Sequence, residues 1–226
     1  MSSMRTYLIA EPIFYGILLI PSILIAKRHG KPGYLGWGLV TLLCVMHAAG
    51  GAMVLTGTRY GMTVLTNCAG VLLLASCGIW WEANHHLESL DMAAKIKVGV
   101  VHFLVLVGAA LMAMNISVLS GRMQAYIACG CWGVAWLAAF AQAIMSMKAH
   151  GGFGEPTQKL ITASVLGVVC AGVRIIFTIL ARTRMVYGLH PRGSSFLMTL
   201  SCVFLPEALA TLAFVIIGMM TRGIGG

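Results

Sequence analysis

Seven apolar stretches follow one another along the chain with only short polar breaks between them. Each is near or above the roughly 20 residues that an α-helix needs to cross a bilayer. They fall at 7–26, 34–55, 62–81, 98–119, 125–147, 160–180 and 195–220, and the breaks carry turn and charge signals such as KRHGKPG, TGTRYG and KAHGGFGEPTQK. Of the 226 residues, 59% are apolar and only 9% are charged, against about a quarter charged in a soluble domain. So little charge excludes a soluble enzyme, a separate extramembrane domain, and a nucleic-acid binder with a hydrated basic face. The expected fold is all-α: one polytopic membrane domain over 1–226, built as a bundle of seven transmembrane helices. Glu11, Pro12 and Pro21 interrupt the first stretch and a basic cluster follows it, which marks it as a retained helix and not a cleaved signal.

The net charge is +9, with the lysines and arginines in the connections except for Arg174. One side of the membrane collects eight basic residues and the other six, which by the positive-inside bias puts the N-terminus in the lumen of the endoplasmic reticulum or another endomembrane. The sequon at Asn115 falls on that same side, close to the bilayer. All seven cysteines lie in apolar segments, where they read as small hydrophobes and not as disulfide partners.

Ionisable groups inside hydrocarbon are expensive, so the few present carry the functional signal. They are Glu11, His47, His102, Arg174 and Glu207. By helical rise, Arg174 lies about 10 Å, His47 about 12 Å, Asn67 about 8 Å and Glu207 about 18 Å below the lumenal ends of their helices, with Glu11 in the first turns of its own. His102 falls near the other face. Glu207 shares a helical face with Phe204, Thr211 and Phe214, and Glu11 shares one with Phe14 and Tyr15. Trp132 and Trp136 add rings on the fifth helix. A carboxyl in such surroundings is suited to donate a proton, and aromatic faces stabilise a cation formed beside it. An ion pair of Arg174 with Glu207 that only fixes packing is the competing reading. Glu11, followed by Pro12, also fits a helix-start residue.

On the opposite side, Trp80-Trp81-Glu82-Ala83-Asn84-His85-His86-Leu87-Glu88 offers Glu82 with His85, and His85 with Glu88, at metal-ligand spacing. The segment reads as a solvated, tryptophan-anchored surface stretch, supported by Asp91 and Lys95 at i, i+4. No metal or other cofactor is expected. Asp91 is the only aspartate, which excludes the aspartate clusters that hold magnesium on a prenyl diphosphate. All six lysines sit in connections, which leaves no amine for a retinal Schiff base. The glycine-rich Gly151 to Gly154 lacks the ending of a phosphate loop and reads as a turn.

Glu11, the basic KRHGK, GVRIIFTIL around Arg174 and LPEALATLAFVIIGMM around Glu207 together resemble a fungal family of seven-helix integral membrane proteins. That family often carries an arginine in helix two where this chain has His47 before Gly50. The architecture is similar to that of fungal membrane-bound terpene cyclases and of lipid exporter-like proteins of the aminocholesterol-resistance type. The cyclases' early Trp-Glu pair has an echo in Trp81-Glu82.

Three functions follow. The first is a membrane enzyme of fungal secondary metabolism that cyclises or isomerises a terpenoid or polyprenyl substrate by protonation. Glu207, Glu11 and Arg174 are its catalytic residues, and His47, Asn67, Tyr15, Phe204, Phe214 and Trp136 its substrate-binding wall. The second is a non-enzymatic lipid-binding, translocating or sensing protein, and the third a proton-coupled transporter with Glu207 and His47 as relay. In each the partners are a lipophilic small molecule and membrane lipid, with no nucleic acid.

Overall fold

A computed structural model describes residues 2–58, 60–85, 92–114, 121–148, 154–183 and 196–221. The first helical run, Ser2–Leu55, is broken only at Gly30 (φ 62°, ψ −158°). Its two arms, α1 (Thr6–Lys31) and α2 (Gly33–Leu55), fold back on each other about that residue. The connection expected over KRHGKPG is thus a near single-residue hinge. The positive φ favours glycine, and Pro32 just beyond it is suited to open the second arm. The remaining helices are α3 (Gly61–His85), α4 (Met92–Ala113), α5 (Gly121–Lys148), α6 (Glu155–Thr183) and α7 (Phe196–Met220). All seven are long and apolar enough to span a membrane.

The helices close into a ring in which α3 and α6 also pack against each other across the middle. Inner and outer helices separate by burial: 67% of the α3 window and 61% of the α6 window are buried, against 22% for α4. Side chains on the outside are apolar too. Ile17, Ile20 and Phe103 are about two-thirds exposed (66%, 67% and 66%), an arrangement stable only where the surrounding medium is hydrocarbon. The chain is an integral, multi-pass membrane protein.

Close packing inside relies on small residues, as membrane bundles do. At the α2–α3 crossing, a Cβ on Gly36 would sit 2.6 Å from the Ile79 nitrogen and 2.8 Å from the Gly78 carbonyl carbon. Backbone on the facing helix cannot rotate aside. Gly36→Ala therefore lowers stability by about 1–3 kcal/mol, read as an earlier thermal unfolding midpoint in detergent. An unchanged midpoint would contradict this crossing.

Proline shapes α7. Pro206 has no N–H, and its ring would crowd the carbonyl four residues back in a regular helix. The helix widens there into a π turn, Leu200–Phe204, in which the Leu205 N–H reaches the Leu200 carbonyl. Such turns recur at functional sites, and this one immediately precedes Glu207.

Candidate functional site

Four helices bring four ionisable side chains together in the half of the bundle that holds the start of α1. His47 on α2 is the hub. Its Nδ1 lies 2.8 Å from Glu11 Oε1 on α1, and its Nε2 lies 3.2 Å from Glu207 Oε2 on α7. The second approach is close enough for an ion pair but off hydrogen-bond alignment, so His47 Nε2 and Glu207 Oε2 make no directed bond. Arg174 on α6 then donates from Nε to Glu207 Oε1 at 3.0 Å. Two further bonds hold the guanidinium, to Thr178 Oγ1 at 2.7 Å and to the Leu65 carbonyl of α3 at 3.2 Å. All four groups are buried, with Glu207 at 0% exposure.

The charge count is instructive. Two carboxylates and one guanidinium leave one negative charge, so neutrality requires one proton shared among Glu11, His47 and Glu207. Burial in low dielectric penalises any net charge left over. A neutral cluster would hold one proton among these three groups.

These groups form the inner end of a cavity of about 290 Å³, at the small end of the range for ligand pockets. Glu11, His47, Arg174 and Glu207 all line it, together with Leu8, Leu65, Phe177 and Val203 on the apolar side. Glu11 Oε2 is buried without a hydrogen-bond partner of good geometry among the described residues. Away from the cavity, α2 and α3 close the bundle with Val40, Leu43, Cys44, Leu72 and Leu73, all fully buried.

The four aromatic residues expected in the substrate-binding wall, Tyr15, Phe204, Phe214 and Trp136, do not line the cavity. Tyr15 stacks flat on the His47 ring, with centroids 3.9 Å apart and planes 7° from parallel. Tyr7, Phe14 and Phe204 meet edge to face beside it. Tyr15 thus backs the imidazole and Phe204 packs on Tyr15 in turn; neither lines the cavity, whereas Tyr7 does. Phe214 is buried deeper and would be struck by a Cβ on Gly167. Trp136 donates to the Val168 carbonyl at 3.0 Å and packs on Phe140. Asn67 is turned onto its own helix, donating to the Thr63 carbonyl at 3.0 Å. His102 does the same toward Val98. Phe214, Trp136 and Asn67 are not among the residues lining the cavity.

Compared with family models, curated proteins and solved structures, the chain matches none. Its chemistry is read from its own geometry.

A second buried polar cluster sits at the opposite end of the bundle. The reading of Glu82 as part of a solvated surface segment is corrected here: Glu82 is 0% exposed. Its Oε1 lies 2.6 Å from His29 Nδ1 of α1, and its Oε2 accepts from Trp37 Nε1 of α2 at 2.6 Å. His29 Nε2 reaches the Gly218 carbonyl of α7 at 3.1 Å. Because that carbonyl only accepts, Nε2 carries a hydrogen, and a second proton lies along the His29–Glu82 contact. The cluster joins four helix ends. The His85 side chain, Glu88 and Asp91, invoked for metal spacing and for the Asp91–Lys95 pair, lie outside the described residues, as do the Asn115 sequon and residues 151–153 of the glycine-rich turn.

Sequence reasoning missed Arg182, Thr178, Phe177 and Thr199, all of which line the cavity. A signal was available: Arg174, Thr178 and Arg182 stand at i, i+4 and i+8, on one face of α6.

Proposed function

We propose that the cavity is the active site of a membrane enzyme that isomerises or cyclises a lipophilic, terpenoid-like substrate by proton transfer. The analogy is to the fungal membrane-bound cyclases that the sequence resembles in architecture, with the cavity on the lumenal side of an endomembrane. The single observation that carries the proposal is His47 set between two buried carboxylates, from different helices, at a cavity wall. The roles of the two acids are assigned by their partners. Glu207 is bound by Arg174 on one oxygen and faces His47 on the other without an aligned bond, so it serves as the counter-charge of the guanidinium. Glu11 holds the imidazole through Oε1, lies against Tyr7 at the cavity wall and has no arginine partner among the described residues, and it is the proton donor.

In the reaction, a proton passes from Glu11 to a substrate double bond, whose π electrons form the new C–H bond and leave a carbocation. A second double bond of the substrate closes on that carbon, or the cation shifts, and loss of a neighbouring proton restores neutrality. The carboxylate of Glu11, directly or through His47, takes that proton back. Product and substrate have the same mass, and nothing is oxidised or reduced. Tyr7 and Phe177, on the cavity wall, are suited to face the cation, and the apolar lining keeps water from trapping it.

The test is turnover by purified protein across a panel of polyprenylated substrates, read by mass spectrometry. The expected result is a product of unchanged mass and new retention, lost in Glu11→Gln while that variant still purifies folded. Absence of conversion across the panel would overturn the enzyme. Proton-coupled uptake into liposomes would instead favour the transporter. The packed side chains beyond His47 favour a closed reaction chamber over a path through the bundle.

A further inference from the structure

A groove of about 520 Å³ runs between α1 and α2 beside the Gly30 hinge. Ile23 and Lys27 line it from α1, and Tyr34, Gly38, Leu39 and Thr41 from α2. Tyr34, Gly38 and Thr41 stand at i, i+4 and i+7, one above another on a single helix face. Glycine is what keeps this face open: a Cβ on Gly38 would meet only the Tyr34 ring, at 4.0 Å. From Tyr34 to Thr41 the floor descends about 10 Å into the bilayer. Thr41 Oγ1 is engaged by the Trp37 carbonyl at 3.0 Å, so the deep end presents little polarity.

The outer end has the opposite character. Lys27 comes three residues before the hinge and Tyr34 four after it, which sets ammonium and phenol at nearly one level near the membrane face. Both side chains are exposed, and Lys27 makes no ion pair among the described residues. Its surroundings carry the same sign. Arg28, Lys31, Lys95, Lys97 and Lys148 are exposed at this end of the bundle, whereas its described acids are engaged, Glu82 with His29 and Glu155 with Lys159.

A basic rim above an apolar slot that opens sideways to hydrocarbon suits a lipid better than a water-soluble anion. We propose that this groove binds a phospholipid whose head carries a net negative charge. The phosphate sits at Lys27 Nζ, Tyr34 borders the headgroup, and one acyl chain descends past Gly38 and Leu39 toward Thr41. Shape selects the chain and charge selects the head. A lysine near an anionic surface is worth about 1 kcal/mol, and tyrosine is favoured at headgroup level. The groove shares no lining residue with the cavity at His47, so the proposal stands or falls independently of the chemistry there.

Native mass spectrometry of the full chain, released from detergent micelles, reads the complex directly. The protein is offered equal amounts of dioleoyl phosphatidylserine and dioleoyl phosphatidylcholine. Phosphatidylserine is expected to form one saturating adduct, favoured at least about fivefold, the equivalent of that single lysine. Gly38→Leu, whose side chain fills the slot without striking backbone, should remove the adduct. Lys27→Gln should leave the two lipids binding alike, and Lys148→Gln, at the same end but outside the groove, should change nothing. Equal adducts on the parent, or a preference that survives Gly38→Leu and Lys27→Gln, overturns the proposal. So does a preference lost equally in Lys148→Gln, which marks diffuse surface charge, or a doubled protein mass abolished by Gly38→Leu, which gives the groove to a second copy of the chain. If Gly38→Leu is not recovered folded, Lys27→Gln, a change on an exposed side chain, decides alone.

Discussion

Arg174→Ala should abolish recovery of folded protein, or lower its stability by about 3–5 kcal/mol, the range for removing one partner of a buried ion pair. Glu207, fully buried, would lose its cation, and both Thr178 Oγ1 and the Leu65 carbonyl would lose a donor. Arg174→Lys should fall between, because an ammonium supplies the charge without the fork that reaches three helices at once. The yield of monodisperse protein and its thermal midpoint check both. An alanine variant as stable as the parent would mean that the guanidinium is not holding α3, α6 and α7 together.

Glu82→Ala should be comparably damaging at the other end of the bundle. Trp37 Nε1 and His29 Nδ1 would be left without their acceptor, and the tie from His29 to the Gly218 carbonyl of α7 would lose its orienting partner. Unmet buried donors cost about 1–3 kcal/mol each, more when charged. Glu82→Gln should be far milder, since the amide oxygen still accepts from Trp37 and its NH₂ can donate to a neutral His29. Neither variant touches the cavity, so any protein recovered should keep its ligand binding. If Glu82→Ala unfolds no earlier than the parent, the cluster does not clamp the helix ends.

The contrast between these two clusters shows what could be read from the chain alone. Seven apolar runs are a composition signal extending over most of the sequence, and helix number and spans follow from it with ends shifted by a few residues. For α4, the helix ends at Ala113 where the apolar run continued to 119. Arg174 and Glu207 stood out because charge in hydrocarbon is costly and each lies mid-run. Glu82 did not, because it sits at a helix end, where a carboxylate is usually solvated. Only the Gly30 hinge and the arrival of α7 bury it, and both are matters of tertiary packing. The hub role of His47 was hidden for a related reason: sequence spacing describes neighbours on one helix, and its partners are on two others. The aromatic residues shared helical faces with the acids as expected, yet Tyr15 packs against the imidazole and Phe214 against α6. A shared face does not decide which neighbouring surface a ring meets.

The account depends on Glu11, His47, Glu207 and Arg174 acting as one coupled unit. A double-mutant cycle on its two ends, Glu11→Gln and Arg174→Gln, read by thermal or denaturant unfolding in detergent, measures that coupling directly. Removing Arg174 alone leaves two acids competing around one imidazole, whereas removing both ends leaves His47 and Glu207 as a neutral pair. The double variant should therefore be less destabilised than the two single losses added together, by about 0.5–3 kcal/mol. Losses that add within about 0.5 kcal/mol, as they do for independent sites, would contradict the account.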